Sequence, residues 1–156
     1  MMLKRIFSII VVGLLMAGCG SSEKEQANQL LQEACEKFEH GQFNEARAYI
    51  DSLRKTFPNI VEARKGALKL HQEIELKAAQ KELEWTDSLL RIANQELESI
   101  QAKVEADKAA LKATPEELTQ LTRTRIWRDS IRTQFETLGA KIHYIRQKQK
   151  ETKGEK

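Results

Sequence analysis

Leucine or valine recurs every seven residues along the middle of this 156-residue chain. Six positions form one uninterrupted row, namely Leu76, Leu83, Leu90, Leu97, Val104 and Leu111. The companion positions, three residues after each of the first five, are mostly small or apolar: Ala79, Thr86, Ala93, Ile100 and Asp107. Apolar residues at alternating spacings of three and four are typical of a coiled-coil seam. Because residues 60–113 contain no proline, the pattern predicts one helix of about 54 residues.

A second long helix is predicted after a sharp stop. Thr114, Pro115 and Glu117 stand where an N-cap, a first-turn proline and a capping-box glutamate belong. From Pro115 to about Lys150 the apolar row consists of Leu121, Arg128, Phe135 and Ile142, with Ile131, Leu138 and Ile145 beside it. Because the link is short, residues 60–150 are predicted to form an antiparallel hairpin with its turn at 113–115.

Placing Leu111 against Leu118 sets a register for this hairpin, in which facing residue numbers add to about 229. The apolar pairs that result are Leu97 with Ile131, Leu90 with Leu138, and Leu83 with Ile145. Arg128 then falls between Glu98 and Glu105. It either pairs with one of them and fixes the register, or extends outward into solvent.

Two shorter helices are predicted over residues 27–58. The apolar face of the first consists of Ala27, Leu30, Leu31, Ala34 and Phe38, and that of the second of Ala46, Tyr49, Ile50 and Leu53. Gly41 between them suits a backbone with positive φ. Pro58 ends the second helix, because the residue before a proline is pushed out of the α region.

Six residues of this segment lie at the spacings of a tetratricopeptide repeat: Ala34, Gly41, Phe43, Ala46, Ile50 and Pro58. The segment resembles one such repeat over about 33 residues, although Glu33 and Lys37 replace its large apolar residue and tyrosine. The resemblance implies a hairpin that must pack on the next helix; a generic helical hairpin with a similar turn is the alternative. The predicted fold class is all-α, a short repeat-like hairpin packed on the base of a long antiparallel coiled-coil hairpin.

The N-terminus is predicted to be a signal peptide covering residues 1–18. Lys4 and Arg5 precede an apolar run over residues 6–17, and Gly18 stands at the cleavage site. Twelve helical residues span about 18 Å, which is short of the ~30 Å hydrocarbon core. A secretory leader is therefore favoured over a spanning helix.

The residues Leu15-Met16-Ala17-Gly18-Cys19 resemble the bacterial lipobox, with Met16 in place of the commoner leucine. The resemblance implies that Cys19 becomes the first mature residue and carries a diacylglycerol and an N-acyl chain, a durable membrane anchor. Residues 19–26 would then form a tether. The alternative is an ordinary secretory signal with a chance cysteine.

The residues that follow Cys19 bear on location. Gly20 stands where an aspartate retains lipoproteins at the inner membrane, and the acidic start over residues 20–25 resembles that of Bacteroidetes surface lipoproteins. The resemblance implies lipid anchoring in the outer membrane, with the periplasmic face favoured and surface exposure as the alternative.

Sequence motifs for catalysis are missing. His40, His71 and His143 lie in separate elements, and the chain has no HExxH, no CxxC and no glycine-rich phosphate loop. We therefore expect no enzyme activity, no cofactor or metal, and no small-molecule substrate.

Charge and cysteine content point the same way. Removing Lys4 and Arg5 from the 26 basic residues leaves 24 against 23 acidic ones, which does not favour binding to nucleic acid. Cys35 is either a small buried apolar residue or a partner for an intermolecular disulfide.

Two surfaces are candidates for binding. Trp85, Leu89 and Ile92 form a second stripe beside the seam, and the predicted register puts Tyr144 opposite Trp85. These residues either cover the edge of the core or bind a helix from a partner or a second copy.

The second candidate is the basic C-terminal end, where Arg146, Lys148 and Lys150 could contact an anionic surface. The alternative is a soluble end that finishes in a charged tail over residues 151–156. Together these features predict a lipid-anchored envelope lipoprotein that scaffolds other envelope proteins without catalysis. The alternative is an oligomeric coiled-coil protein with a structural or holdase role.

Overall fold

The computed structural model of this protein describes residues 19–154, with side chains from residue 22 onward. The described residues form four helices and no strand: α1 (Cys19–Glu39), α2 (Phe43–Thr56), α3 (Val61–Ala109) and α4 (Pro115–Lys153). The all-α prediction is therefore confirmed. Residues 19–26, predicted as a tether, belong to α1, and α3 ends four residues earlier than the sequence pattern suggested.

Contacts divide the described residues into two compact units, with the boundary between residues 74 and 75. We call the described residues of the first unit, 19–74, the head, and those of the second, 75–154, the arm. Helix α3 supplies residues 61–74 to the head and residues 75–109 to the arm.

The head begins with a tight hairpin between α1 and α2. Gly41 has a φ of 73°, its N–H donates to the Phe38 carbonyl, and the Gln42 N–H donates to the Lys37 carbonyl at 2.9 Å. These two bonds define a Schellman motif, which needs a left-handed residue after the helix. The predicted role of Gly41 is confirmed.

The core of the head lies between α1, α2 and the first turns of α3. Its buried residues are Ala27, Ala34, Ala46, Ile50, Leu53, Phe57, Ala63, Ala67, Leu70 and Ile74. Many are alanines, whose small side chains let helices approach closely. A Cβ atom on Gly66 would lie only 2.6 Å from Leu31 Cδ2, so α1 and α3 are also close there. The short hairpin thus packs on the next helix, as its single apolar face required.

The arm turns at its tip through a second Schellman motif, in which Leu111 takes the left-handed position with a φ of 56°. The Leu111 N–H donates to the Lys108 carbonyl, and the Lys112 N–H donates to the Asp107 carbonyl. Leu111 is 96% exposed. The prediction that it is the sixth member of the seam is wrong, because the chain has already left the helix there.

Helix α4 starts as its sequence predicted. The Glu117 N–H donates to Thr114 Oγ1 at 3.2 Å, and the Thr114 N–H donates to Glu117 Oε2 at 3.0 Å. This reciprocal pair is a capping box, with Pro115 as the first helical residue. The short link between α3 and α4 makes them antiparallel neighbours in the arm.

Small and apolar residues fill the seam between the two helices of the arm. Buried seam positions are Ala79, Thr86, Ala93, Leu97 and Val104 on α3, and Leu121, Thr124, Ile131, Leu138, Ile142 and Ile145 on α4. The companion positions Ala79, Thr86 and Ala93 are more buried than Leu83 and Leu90 of the leucine row. Thr86 satisfies its hydroxyl by donating to the Glu82 carbonyl at 2.8 Å.

The predicted register of the arm is wrong by more than one heptad, because the ion pairs Glu75–Lys141 and Lys103–Glu117 join residues whose numbers add to 216 and 220 rather than about 229. Leu83 packs with the cluster of Leu138 and Ile142, one heptad before the predicted Ile145. Leu97 lies in one cluster with Leu121 rather than facing Ile131. The prediction rested on a contact between Leu111 and Leu118, and the left-handed turn at Leu111 removes that contact.

Arg128 consequently meets neither of its predicted partners. Its Nε atom is buried and lies 2.9 Å from Asp129 Oδ1, in the geometry of an ion pair without a hydrogen bond. The observed register places Glu98 and Glu105 nearer the tip, where Lys103 contacts Glu117. The predicted pairing of Arg128 with Glu98 or Glu105 is wrong for that reason.

Candidate functional site: an apolar face on the arm

The arm exposes large apolar side chains beside its seam. On α3, Trp85 is 65% exposed, Ile92 is 53% exposed, and Leu89 between them is half-buried. Their spacings of four and three residues put them on one side of the helix. The predicted second stripe therefore exists as an exposed surface.

An ion pair identifies which row of α4 adjoins this stripe. Glu75 Oε2 accepts a hydrogen bond from Lys141 Nζ at 2.9 Å. Leu89 lies two heptads after Glu75 on α3, and Trp127 lies two heptads before Lys141 on α4. Because the helices are antiparallel and a heptad repeat keeps one side facing the partner, Trp127 lies on the same side of the seam as Leu89 and within about one helical turn of its level.

Trp127 is 40% exposed and completes a surface that the sequence showed only on one helix. We call Trp85, Leu89, Ile92 and Trp127 the apolar face. Both tryptophans of the protein belong to it. Trp127 was missed because its row could be assigned only with the correct register.

Tyr144 does not join the apolar face. It lies three residues beyond Lys141, and 17 helical residues, about 25 Å, separate it from Trp127. Its ring is 58% exposed and has the Lys148 ammonium 5.7 Å from its centroid. The predicted pair of Trp85 and Tyr144 is therefore wrong, and Trp127 takes the place that the tyrosine was given.

Charges of opposite sign border the apolar face on its two helices. On α3, Glu82 and Glu96 stand one heptad before and one heptad after Leu89. On α4, Arg123 stands four residues before Trp127 and Lys141 two heptads after it. The flank of α3 thus carries two carboxylates and that of α4 two cations, of which Lys141 is already paired with Glu75.

The basic C-terminal residues continue α4, which ends at Lys153 before Gly154 with a φ of 74°. Lys148 Nζ lies 2.7 Å from Glu151 Oε2, and this hydrogen bond raises the pKa of Lys148. Arg146 and Lys150 are exposed. Of the three predicted contacts for an anionic surface, Lys148 is thus already paired with an acidic residue of its own helix. The last residues of the predicted charged tail, 155–156, lie outside the described residues.

Both cysteines of the chain lie in α1. Cys35 is half-buried beside the core of the head, and burial, followed by the charges of Glu39 and Glu73, raises the pKa of its thiol. A protonated thiol is a poor nucleophile, which suits a packing role. Cys19 is the first residue of α1, and the predicted signal peptide, residues 1–18, lies outside the described residues.

A shallow groove of about 380 Å³ lies on the head and is lined by Arg54, Val61, Arg64, Lys65 and Leu68. Its cations already have acceptors. Lys65 pairs with Glu62 at 3.2 Å, and Arg64 donates to the Pro58 carbonyl at 2.9 Å. The groove therefore lacks a free charge that would define a ligand.

Neither metal-binding clusters nor membrane-spanning helices occur in the part of the chain that the structure describes. Among residues 19–154, histidine, cysteine and acidic side chains nowhere gather in threes at metal-binding distance. Within the same range, each helix is too short or too polar to cross a bilayer. Comparison with protein-family models, curated proteins and solved structures finds no match.

Proposed function

We propose that this protein is a lipid-anchored lipoprotein of the outer membrane that acts as a non-catalytic interaction module, with the apolar face of its arm as the binding surface. The anchoring part is supported by the lipobox-like residues 15–19, which follow a basic start and an apolar run. A diacylglycerol and an N-acyl chain on Cys19 would hold the chain durably at a membrane.

The interaction part is supported by one observation, the exposure of Trp85 and Ile92 beside Trp127 on a two-helix arm. Tryptophan is enriched among the residues that dominate binding energy, and large exposed apolar side chains in one place mark interaction surfaces. The partners that such an anchored module can reach are proteins of the same envelope, which include further copies of this chain.

Lipidation is tested by labelling cells with a tagged fatty acid. Wild-type protein should incorporate the label, and Cys19→Ser should abolish both the label and cleavage of the leader. Cys35→Ser is the matched control, since it removes the other cysteine of the chain and should leave labelling unchanged. Equal labelling of the Cys19→Ser variant would refute the anchor.

The binding surface is tested by crosslinking in membranes followed by purification. Trp85→Ala should leave the melting temperature of dilute protein nearly unchanged, because most of the side chain is in solvent in the single chain, and should reduce partner recovery. Ile126→Ala is the control, because Ile126 is also 65% exposed but lies outside the rows that form the apolar face. A large loss of melting temperature with intact recovery would show that Trp85 only stabilises the arm.

A further inference from the structure

The apolar face borders a seam of only two helices, so nothing within the arm covers it. Trp85 and Ile92 keep more than half of their surface in solvent. Two helical hairpins placed face to face form a four-helix bundle, which buries such rows between its helices. The missing cover is therefore two helices wide.

We propose that the cover is a second copy of this chain, docked face to face in parallel, with α3 of each copy lying over α4 of the other. This inference rests on the proposed function of the apolar face as an interaction surface and names its partner. It does not depend on the lipid anchor.

Charge complementarity selects the second copy and its orientation. Two ion pairs between α3 and α4 join residues whose numbers add to 216, for Glu75 with Lys141, and to 220, for Lys103 with Glu117. Glu96 is therefore level with Arg123. A twofold axis along the arm places Glu96 of each copy over Arg123 of the other, so this contact between opposite charges forms twice.

The opposite orientation creates repulsion instead. A twofold axis across the arm would place α3 over α3 with Leu89 near the axis. Glu82 of each copy would then lie against Glu96 of the other, because the two glutamates stand one heptad on either side of Leu89. Like charges directly opposite each other are unfavourable, so the parallel arrangement is preferred.

The dimensions of the surface suit a dimer. The row from Glu75 to Glu96 is about 33 Å long. Two helices are about 20 Å wide, so the contact covers on the order of 700 Å² per copy, close to the ~800 Å² of a standard interface.

Association is tested with the full chain, purified from membranes in a mild detergent. Light scattering should give the protein mass of a dimer. Since both tryptophans lie on the apolar face, their emission should also shift to the blue as concentration rises. Trp85→Ala and Trp127→Ala should each give monomers that remain helical, whereas the control Ile126→Ala should remain a dimer.

A monomeric wild-type chain at up to about 100 μM, with tryptophan emission independent of concentration, would overturn the inference. The proposed function would survive that result if partner recovery from membranes still required Trp85. Partner recovery that ignores Trp85 would refute the proposed function of the face even where dimers form through other residues.

The orientation is tested by exchanging charges. Glu96→Arg and Arg123→Glu should each raise the dimer dissociation constant about tenfold, since each changes two symmetry-related contacts. The double variant Glu96→Arg/Arg123→Glu should restore wild-type affinity. Glu98→Arg makes the same charge change off the row and should have little effect. Tighter association of the single variant Glu96→Arg would instead support α3 over α3 and refute the parallel arrangement.

Discussion

The head and the arm are both built from helices, but they bury their cores to different degrees. In the head, Ile50, Leu53 and Ile74 are fully buried, because three helical segments surround them. In the arm, Val104 is also fully buried, but Leu138, Ile142 and Ile145 each keep 7–8% of their surface exposed, because two helices close a seam only from two sides. Enclosure therefore depends on the number of helices more than on the apolar content of each.

This difference explains where the candidate binding surface lies. A three-helix core leaves its outer rows free to be polar, whereas a two-helix seam has flanks that neither helix covers. On the arm, these flanks carry Trp85, Ile92 and Trp127. Their exposure follows from the architecture and becomes useful when another pair of helices covers them.

The largest expected effect is on the core of the head. Ile50→Ala removes a fully buried side chain from among three helical segments, and the cavity cannot collapse easily. We expect a loss of about 4 kcal/mol in the free energy of unfolding, within the ~2–5 kcal/mol known for such truncations. Urea unfolding followed by circular dichroism measures it, and a loss below about 1 kcal/mol would mean that the head is not tightly packed.

A smaller loss is expected in the seam of the arm. Leu138→Ala should cost about 2 kcal/mol, because water already reaches the edge of this side chain and the two helices can move closer. Amide exchange should accelerate in the arm and remain slow in the head, since Leu138 packs with Ala79 and Ile142 of the arm. An effect as large as that of Ile50→Ala would contradict the difference between the two regions.

Much of the fold could be predicted from the sequence because its signals are local. The turn at Gly41, the capping box at Thr114 and the two long helices each depend on residues within a few positions of one another. The register of the arm is not local. A slip of one heptad still places apolar residues against apolar residues, so the pattern alone could not distinguish Ile145 from Leu138 as the neighbour of Leu83.

The candidate site could be predicted only in part, because half of it depends on the register of the arm. The stripe of Trp85, Leu89 and Ile92 lies on one helix and was found from spacing alone. Its complement on α4 depends on the register, so Tyr144 was assigned to it and Trp127 was missed. The turn at Leu111 set the register, and a leucine in a left-handed conformation gives no warning in the sequence.

The turns at Gly41 and Leu111 can be compared through substitutions that should change stability by about 1 kcal/mol each. Gly41 in the head and Leu111 in the arm occupy the same left-handed position of a Schellman motif. A side chain in that conformation costs roughly 1–2 kcal/mol, which glycine avoids. We expect Leu111→Gly to stabilise the arm by about 1 kcal/mol and Gly41→Ala to destabilise the head by a similar amount, as measured by thermal unfolding.

Leu111 is suited to this test because its side chain is almost wholly in solvent, so that truncation removes no packing. Leu111→Ala is the matched control. It removes every side-chain atom beyond Cβ, keeps the Cβ atom that glycine lacks, and should leave stability nearly unchanged. Destabilisation by Leu111→Gly would show that the leucine makes a stabilising contact at the tip.

The smallest expected effects concern how the stability of the two regions depends on pH. At the tip of the arm, a hydrogen bond from Lys103, with another from the Thr114 N–H, lowers the pKa of Glu117. Such a carboxylate stabilises the fold above its unfolded pKa, and the contribution disappears as pH falls through the folded pKa. In the head, the hydrogen bond to Glu45 raises the pKa of Lys37, whose contribution is present below its unfolded pKa and disappears as pH rises through the folded one.

Acid should therefore weaken the tip of the arm. Alkali should weaken the hairpin of the head and also the tip, because the hydrogen bonds to Glu117 and Asp107 raise the pKa of Lys103. Between pH 7 and pH 3, the melting temperature should fall less steeply for Glu117→Gln than for the wild type, because the amide has no charge to lose. Lys37→Gln should leave the fall in melting temperature between pH 7 and pH 3 unchanged. It should instead reduce the fall in melting temperature at alkaline pH. Both groups are exposed and screened by solvent, so the shifts should be small and should shrink further in high salt. If the melting temperature fell equally between pH 7 and pH 3 in Glu117→Gln and the wild type, the contact with Lys103 would not stabilise the tip.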